Sequence, residues 1–431
     1  MNDAPATHRP GRNHYADLLR VCAIGAVVTG HWLLTNITYR DGRLGGRDSL
    51  DLVDWGRWVT LVLQVMPVFF TVGGYVNAVS WTAHHRRGES WHAWVGTRAT
   101  ALMWPTGVYV VVAMLGVTVA RLAGAPTAEL DRGAWFVALH LWFLPIYLLL
   151  ILLTPALHAA HRRWGLAVPT AMAALVAAVD IAVLGPGWPV VGFANYLLAW
   201  GAMHQWGFAW QDGRLVRPRW RASVLAVLGL ALLVPLLSFG PFPVDMIGAG
   251  NGVDNSSPPT IALLSLAAAQ IGLLLTVEPL LAPRLERPAR LRRIGRLNSA
   301  VLTVYLWHMS PVILLALTLY PAGLAPQPTI GSGTWLALRA AWVAVLAAVL
   351  APLTVAVMWA ERPLRRLPTG AGVAGRWAPV LLVLGVVAFA AGLAGIAVGG
   401  FAPDGRPPVL LLALLAGGIT VTFLSGPRHG G

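Results

Sequence analysis

The chain has 431 residues, of which 57% are hydrophobic and 11% are charged, and its formal net charge is +14. Soluble domains carry roughly 25% charged residues, so this composition excludes an ordinary soluble domain. All 31 basic residues are arginine, and most of them lie in short stretches between long apolar runs. That placement indicates membrane topology and argues against a nucleic-acid partner. The single cysteine, Cys22, excludes an internal disulfide and a cysteine metal site.

A helix that crosses a membrane needs about 20 predominantly apolar residues. By this criterion the sequence predicts an all-α integral membrane protein with about twelve spans. The first apolar run is too long for the core of a signal peptide, so we expect it to be an uncleaved span. The predicted spans are 17–38, 58–81, 98–120, 135–157, 166–184, 188–210, 221–239, 259–282, 298–320, 334–360, 378–400 and 408–424.

The distribution of arginine tests the number and direction of these spans. With a cytoplasmic N-terminus and alternating sides, 23 arginines fall inside, seven fall outside, and Arg339 lies within a span. Loops on the cytoplasmic side of a membrane are enriched in basic residues, and a miscounted span would invert every later loop. We therefore predict a multi-pass protein of the cell (inner or plasma) membrane whose N-terminus is cytoplasmic.

Ionisable side chains in the first span are the strongest functional candidates, because such residues are costly inside a membrane. Asp17 and Arg20 begin the span, and His31 follows Arg20 by eleven residues. Eleven residues turn a helix about 20° past three full turns and advance it by about 16 Å. Arg20 and His31 therefore lie on one helix face, Arg20 at the cytoplasmic mouth and His31 near the membrane centre. Asp17 is three residues before Arg20, within reach of it.

A second histidine, His308, lies ten residues into the ninth span, which runs in the same direction as the first. By the same helical rise it reaches about the depth of His31, so the two indicate a shared polar site. Histidine suits general-base chemistry because its unperturbed pKa is near 6.5. A buried histidine that only bonds a neighbouring helix remains the alternative for His31.

Three weaker candidates accompany these residues. His140 opens the fourth span and lies either at the rim of a site or at the membrane interface. For His204, in the sixth span, we favour a role in a structural hydrogen bond. Glu361 closes the tenth span, where it either pairs with loop arginines or acts in the site. Zinc-protease, nucleophile-elbow and phosphate-loop motifs are absent from the sequence, so we expect no metal and no permanently bound cofactor.

Five short motifs occur in order along the predicted spans. They are Asp17-Leu-Leu-Arg20 with His31, Phe69-Phe-Thr-Val-Gly-Gly-Tyr75, His140-Leu-Trp-Phe-Leu-Pro145, Gly295-Arg-Leu-Asn-Ser299 followed by Tyr305-Leu-Trp-His308, and Glu361-Arg-Pro363. Their order and the Arg20-to-His31 spacing resemble the acyltransferase type 3 family of membrane proteins. The resemblance covers about residues 14–366 and implies a core of ten transmembrane helices. We therefore divide the chain into that membrane core, 1–366, and an extension, 367–431, with two added helices.

The family resemblance implies transfer of an acyl group, acetyl or another short chain, from cytoplasmic acyl-CoA to a hydroxyl of a carbohydrate, lipid or natural product. Arg20, Arg86, Arg87 and Arg98 would bind the phosphates of the donor, since arginine suits phosphate recognition. His31 would take the proton of the acceptor hydroxyl. His308 would orient the acceptor or stabilise the oxyanion. Arg20, with Asp17 next to it, would hold the donor or set the charge on the path to His31.

Two positions depart from the family pattern. Gly73 stands where the family usually has serine, and Ala101 replaces the second arginine of an Arg-x-x-Arg motif that here begins at Arg98.

Other function classes remain open at this point. Twelve spans with buried His, Arg and Glu also suit a secondary transporter or a flippase for a polar lipid or sugar. A membrane acyltransferase of the class built on a His with an upstream Asn, and a scaffold or sensor, are further alternatives. The sequence indicates no oligomeric state.

Overall fold

The computed structural model describes residues 13–50, 53–248, 252–363 and 375–426. The described chain is a bundle of α-helices with one short β-hairpin. The elements in order are α1 (His14–Leu34), β1 (Thr35–Arg40), β2 (Arg43–Asp48), α2 (Gly56–Leu63), α3 (Met66–Arg86), α4 (Trp91–Leu122), α5 (Thr127–Phe136), α6 (Phe143–Trp164), α7 (Ala167–Leu184), α8 (Asn195–Gln211), α9 (Trp220–Ser238), α10 (Ile261–Leu285), α11 (Pro288–Trp307), α12 (Ser310–Leu319), α13 (Gly333–Ala360), α14 (Ala378–Gly399) and α15 (Val409–Ser425).

The prediction of an all-α polytopic membrane protein is confirmed. Within the described ranges, nine segments are long and apolar enough to cross a membrane, and α11 with α12 makes a tenth if that bent pair is one span. The remaining two predicted spans correspond to α8 and α15, which have 17 residues each. Large apolar side chains are exposed around the bundle, as a lipid-facing surface requires. We call the face at which α1 begins the N-terminal face, and the other the opposite face.

The first predicted span was too long at its end. Helix α1 stops at Leu34, and the next residues form β1 and β2, which pair in an antiparallel hairpin on the opposite face. β-Branched Thr35, Ile37 and Thr38 favour extended backbone. A turn at Asp41 and Gly42, both with positive φ, then reverses the chain.

Two further predicted spans are interrupted by proline. The span expected at 135–157 begins as an α-helix only at Phe143, after a 3-10 turn at Leu139–Trp142. The span expected at 298–320 starts earlier, at Pro288, and bends by 50° between α11 and α12. Proline lacks the backbone N–H that an uninterrupted helix needs, so Pro145 and Pro311 explain why neither helix is continuous.

Helix α8 lies in the centre of the bundle against α3, where the two backbones touch. A Cβ on Gly74 would overlap the His204 carbonyl, and a Cβ on Gly207 would overlap the Thr71 carbonyl oxygen. The Thr71 hydroxyl donates to the Met203 carbonyl at 3.0 Å across this contact. Small residues allow such close helix packing in membranes. Residues 199–210 of α8 are all buried, which explains why the helix lacks the apolar composition of a lipid-facing span.

The predicted C-terminal pair forms α14 and α15, which pack on each other and on the rest of the bundle. Helix α14 contacts α6 and the 3-10 turn at Leu139–Trp142, and α15 contacts α4. At the end of α14, Phe401 is fully buried with its ring 6.2 Å from that of Tyr109. The expected boundary at 366/367 lies outside the described residues. This packing makes α14 and α15 part of the bundle rather than a separate unit.

Candidate functional site

The centre of the site is a contact between the two histidines of α1 and α11. His31 Nδ1 lies 3.1 Å from His308 Nε2, and the two rings stack with centroids 5.1 Å apart. His308 is fully buried, whereas His31 retains partial exposure. His308 Nδ1 lies 2.7 Å from the Tyr305 carbonyl oxygen. Because a carbonyl only accepts, His308 Nδ1 carries the proton.

The break between α11 and α12 places His308. Its own N–H still bonds the Val304 carbonyl at 3.0 Å, but Pro311 ends the ladder beyond it. The freed carbonyl of His308 accepts a hydrogen bond from Trp32 Nε1 at 2.8 Å. A buried carbonyl without a partner is costly, so Trp32 stabilises the broken backbone one residue away from His31.

His140 joins these two histidines. It lies in the 3-10 turn before α6, is 2% exposed, and its ring centroid is 4.8 Å from that of His308. Its Nε2 lies 3.2 Å from the Leu306 carbonyl and donates to it, and the Tyr305 hydroxyl donates to the His140 carbonyl. His140 Nδ1 has no hydrogen-bond partner among the described residues. This nitrogen is therefore an acceptor beside the other two histidines.

The end of α1 next to the histidines is held by an arginine within a membrane span. Arg339 of α13 donates from Nη1 to the Thr35 carbonyl at 2.6 Å, and its guanidinium lies over the Trp335 ring at 5.0 Å. Trp335 Nε1 in turn donates to Asn36 Oδ1 at 3.0 Å. Arg339 is not among the predicted site residues, although a charged side chain inside a predicted span indicates a functional or structural role.

The other end of α1 is bonded to α11, the helix that ends beside His308. Asp17 Oδ1 accepts from Asn298 Nδ2 of α11 at 2.9 Å, and Asp17 Oδ2 lies 3.8 Å from His14 Nδ1. Arg20 interacts electrostatically with Asp17, and its guanidinium lies over the Phe69 ring at 5.7 Å. Thus α1 and α11 run in parallel and are joined near both ends.

The four predicted donor-binding arginines separate into two pairs. Arg20 and Arg98 are half-buried and close enough for their charges to repel. Arg86 and Arg87 are exposed at the end of α3. Arg87 is bonded to Glu89, and this hydrogen bond raises the pKa of the Arg87 guanidinium.

His204 belongs to a separate polar chain that reaches Arg98. Asn77 Nδ2 donates to His204 Nε2 at 3.1 Å, and Arg98 Nη2 donates to Asn77 Oδ1 at 2.7 Å. These two hydrogen bonds connect the buried α3–α8 contact with α4. His204 is fully buried, and its ring does not contact the cluster formed by His31, His308 and His140. Its geometry suits the structural hydrogen bond favoured by the sequence, one step removed from Arg98.

Glu361 follows the last residue of α13 and is 2% exposed. Its N–H bonds the Val357 carbonyl at 2.8 Å, which closes the helix. The loop arginines at 365 and 366 lie outside the described residues, and Arg362 is exposed. Among the described His, Cys, Asp and Glu side chains, no group of three is arranged to hold a metal ion.

A comparison with protein families matches residues 13–360 to a family described as an acyltransferase domain, type 3. The match covers all of α1 to α13 and therefore every candidate residue except Glu361. Helices α14 and α15 lie beyond it. Comparisons with curated proteins and with solved structures return no match.

Proposed function

Since the chain belongs to the acyltransferase 3 family and is thus a multi-pass membrane acyltransferase, we propose that it transfers an acetyl or other short acyl group from acyl-CoA to a hydroxyl of a sugar, glycan, lipid or secondary metabolite. The donor enters from the cytoplasm at the N-terminal face, in the cell (inner or plasma) membrane. The observation that carries the proposal is the 3.1 Å contact between His31 Nδ1 and His308 Nε2.

The hydrogen bonds around His308 define the proton positions in this proposal. The Tyr305 carbonyl holds the proton of neutral His308 on Nδ1, so His308 Nε2 is an acceptor. His31 then donates from Nδ1 to His308, which leaves a free lone pair on His31 Nε2. A histidine oriented by a second group in this way is the arrangement that general-base catalysis needs.

The proposed chemical step uses that lone pair. His31 Nε2 takes the proton of the acceptor hydroxyl as its oxygen attacks the thioester carbonyl carbon. The C–S bond then breaks, the acyl group remains on the acceptor oxygen, and the CoA thiolate takes the proton from His31. His308 stabilises the His31 imidazolium through the shared hydrogen bond, and His140 Nδ1, which lacks a partner among the described residues, accepts from a substrate hydroxyl beside it.

Donor recognition is assigned to the N-terminal face. Arg20 and Arg98 lie half-buried with two like charges close together, an arrangement that an anionic phosphate relieves. Arg86 and Arg87 are more exposed and attract the donor over a longer range. Asp17 fixes α1 against α11 through Asn298 and so orients Arg20.

The two carboxylates inside predicted spans, Asp180 and Glu278, give the carrier alternative little support. Asp180 accepts from Asn195 Nδ2 at 2.8 Å and from the Ile261 N–H at 2.7 Å, so it caps the start of α10. Glu278 accepts from Asn13 Nδ2 at 3.3 Å and from Trp210 Nε1 at 2.9 Å. Both have partners that hold helices together, whereas a proton-coupled carrier needs a carboxylate that changes partners.

The test follows acetyl-CoA cleavage by purified protein in nanodiscs, with a panel of hydroxyl acceptors. His31→Ala and His31→Gln are compared with His158→Ala, which changes a half-buried histidine of α6 outside the site. We expect both His31 variants to lose transfer by at least about a hundredfold while inserting normally, and His158→Ala to retain it. Full activity in the His31 variants would falsify the proposed role.

A further inference from the structure

Tyr147 of α6 packs directly on Gly73 of α3. A Cβ at position 73 would lie 2.6 Å from Tyr147 Cε2 and 3.0 Å from its hydroxyl oxygen. Protein interiors do not accommodate overlap of this size without moving the neighbour. The serine usual at this place in the family therefore cannot coexist with the Tyr147 ring in its present position, and the Tyr147 hydroxyl lies where that side chain would begin.

The hydroxyl of Tyr147 differs from those of the two buried tyrosines near the site. It makes no hydrogen bond with the residues that the structure describes, although its ring is held against Phe143 at 5.3 Å and 19°. By contrast, the hydroxyls of Tyr109 and Tyr305 each donate to a backbone carbonyl. Buried tyrosine hydroxyls usually find a partner, so the half-buried Tyr147 hydroxyl is available to a ligand.

Tyr147 lies beside the arginine at which the proposed donor path begins. Its phenol is close enough to Arg20 for the two side chains to interact electrostatically. Arg20 is over the Phe69 ring, and Phe69 meets Phe143 edge-on at 4.9 Å. Tyr147 is thus at the Arg20 end of a row of aromatic rings.

The row consists of Tyr147, Phe143, Tyr305 and His140 in order of contact, and it ends at the histidines. Phe143 meets Tyr305 at 5.7 Å, and Tyr305 meets His140 at 5.4 Å. Tyr147 follows His140 by seven residues, which places it about 10 Å nearer the N-terminal face. The row therefore connects the phosphate-binding end of the site to the reacting end.

We infer that the Tyr147 hydroxyl binds the pantetheine arm of acyl-CoA by a hydrogen bond to one of its amides. This inference rests on the proposed function. The arm is uncharged and connects the phosphates, held by Arg20, to the thioester at His31. An amide taken out of water needs a replacement partner, and Tyr147 supplies one at the correct end of the aromatic row. The hydroxyl that the family carries on α3 is supplied here from α6.

The first test removes only the hydroxyl. Tyr147→Phe should raise the KM for acetyl-CoA by about tenfold, as expected for one lost hydrogen bond, with little change in kcat. The matched control is Tyr196→Phe, which removes a phenol hydroxyl that contacts Ser257 far from this row. Its KM should equal that of the wild type. A Tyr147→Phe enzyme with unchanged KM, or a similar rise in the control, would overturn the inference.

The second test moves the hydroxyl back to α3. Gly73→Ser alone should impair the enzyme, because its Cβ overlaps the Tyr147 ring. Tyr147→Leu should raise KM, and the double variant Gly73→Ser/Tyr147→Leu should recover most of the loss, because space and a hydroxyl are both restored. Gly73→Ala/Tyr147→Leu fills the same space without a hydroxyl, so a packing role alone predicts equal recovery in that variant. Equal recovery there, or a Gly73→Ser/Tyr147→Leu variant no better than Tyr147→Leu, contradicts the inference. A wild type inert with every acyl-CoA overturns the proposed function as well, whereas an active wild type with an unaffected Tyr147→Phe overturns only this inference.

Discussion

Trp32 donates from its indole nitrogen to the carbonyl of His308 at 2.8 Å. The bond joins α1 to the break between α11 and α12, one residue from His31. Both catalytic candidates are therefore held by one contact that contains neither imidazole ring. Its role can be tested separately from that of the histidines.

Trp32→Phe should keep the packing and remove the indole N–H. A buried carbonyl left without a partner costs about 1–3 kcal/mol, so we expect a lower unfolding temperature and a kcat reduced by about tenfold. The measurement is a thermal melt together with acetyl-CoA turnover. Trp188→Phe alters an exposed tryptophan and should change neither property. Equal behaviour of the two variants would contradict the role of Trp32.

The Asp17–Asn298 bond should couple α1 to α11. Asp17→Ala and Asn298→Ala should each destabilise the protein, and the double variant should lose less than their sum. The coupling free energy should be on the order of 1–2 kcal/mol, because the acceptor is charged. Denaturation in detergent for the three variants measures it. Strict additivity would show that the 2.9 Å contact contributes nothing.

The α3–α8 contact predicts a contrast between two glycines. Gly207→Ala should prevent correct folding, because its Cβ overlaps the Thr71 carbonyl oxygen. Gly116→Ala in α4 meets open space and should be neutral or stabilise by up to about 1 kcal/mol, the helix preference of alanine over glycine. Size-exclusion profiles and melting temperatures measure the contrast. Two well-folded variants would contradict the close packing of α3 and α8.

The C-terminal pair should matter for activity although it lies outside the family match. Phe401 contacts Tyr109, whose ring is 5.7 Å from that of His140. Phe401→Ala opens a buried space and should lower the free energy of unfolding by about 3–5 kcal/mol, with a large loss of turnover. Phe401→Leu should retain most of the stability and most of the turnover.

The control for this prediction is Val398→Ala, since Val398 is 80% exposed. Turnover by Phe401→Ala at the wild-type rate would contradict a supporting role for α14.

The sequence predicted the fold class well, because long apolar runs and arginine-rich loops follow directly from the energetics of the bilayer. It predicted that Arg20 and His31 share a helix face, since that depends only on helical geometry. It did not predict the β-hairpin, because the polar connection after α1 carries no period that fixes strand pairing. The break at His308 could have been inferred from Pro311, three residues later.

Contacts between distant segments were harder to predict. The sequence placed His31 and His308 at one depth, but their contact depends on which helices are neighbours. It treated the interface as an equal alternative for His140, which the structure buries against His308. Tyr147 carried no signal by itself, because its importance arises only from its packing against Gly73.

The most direct test of the central claim is a double-mutant cycle on the two histidines. His31→Gln, His308→Gln and the double variant are compared with the wild type in acetyl-CoA-dependent transfer. Residues that act as a unit are not additive, so we predict that each single variant loses about 10²–10⁴-fold in kcat/KM and that the double variant is no worse than the poorer single one. Losses that multiply, or wild-type activity in His308→Gln, would contradict the account.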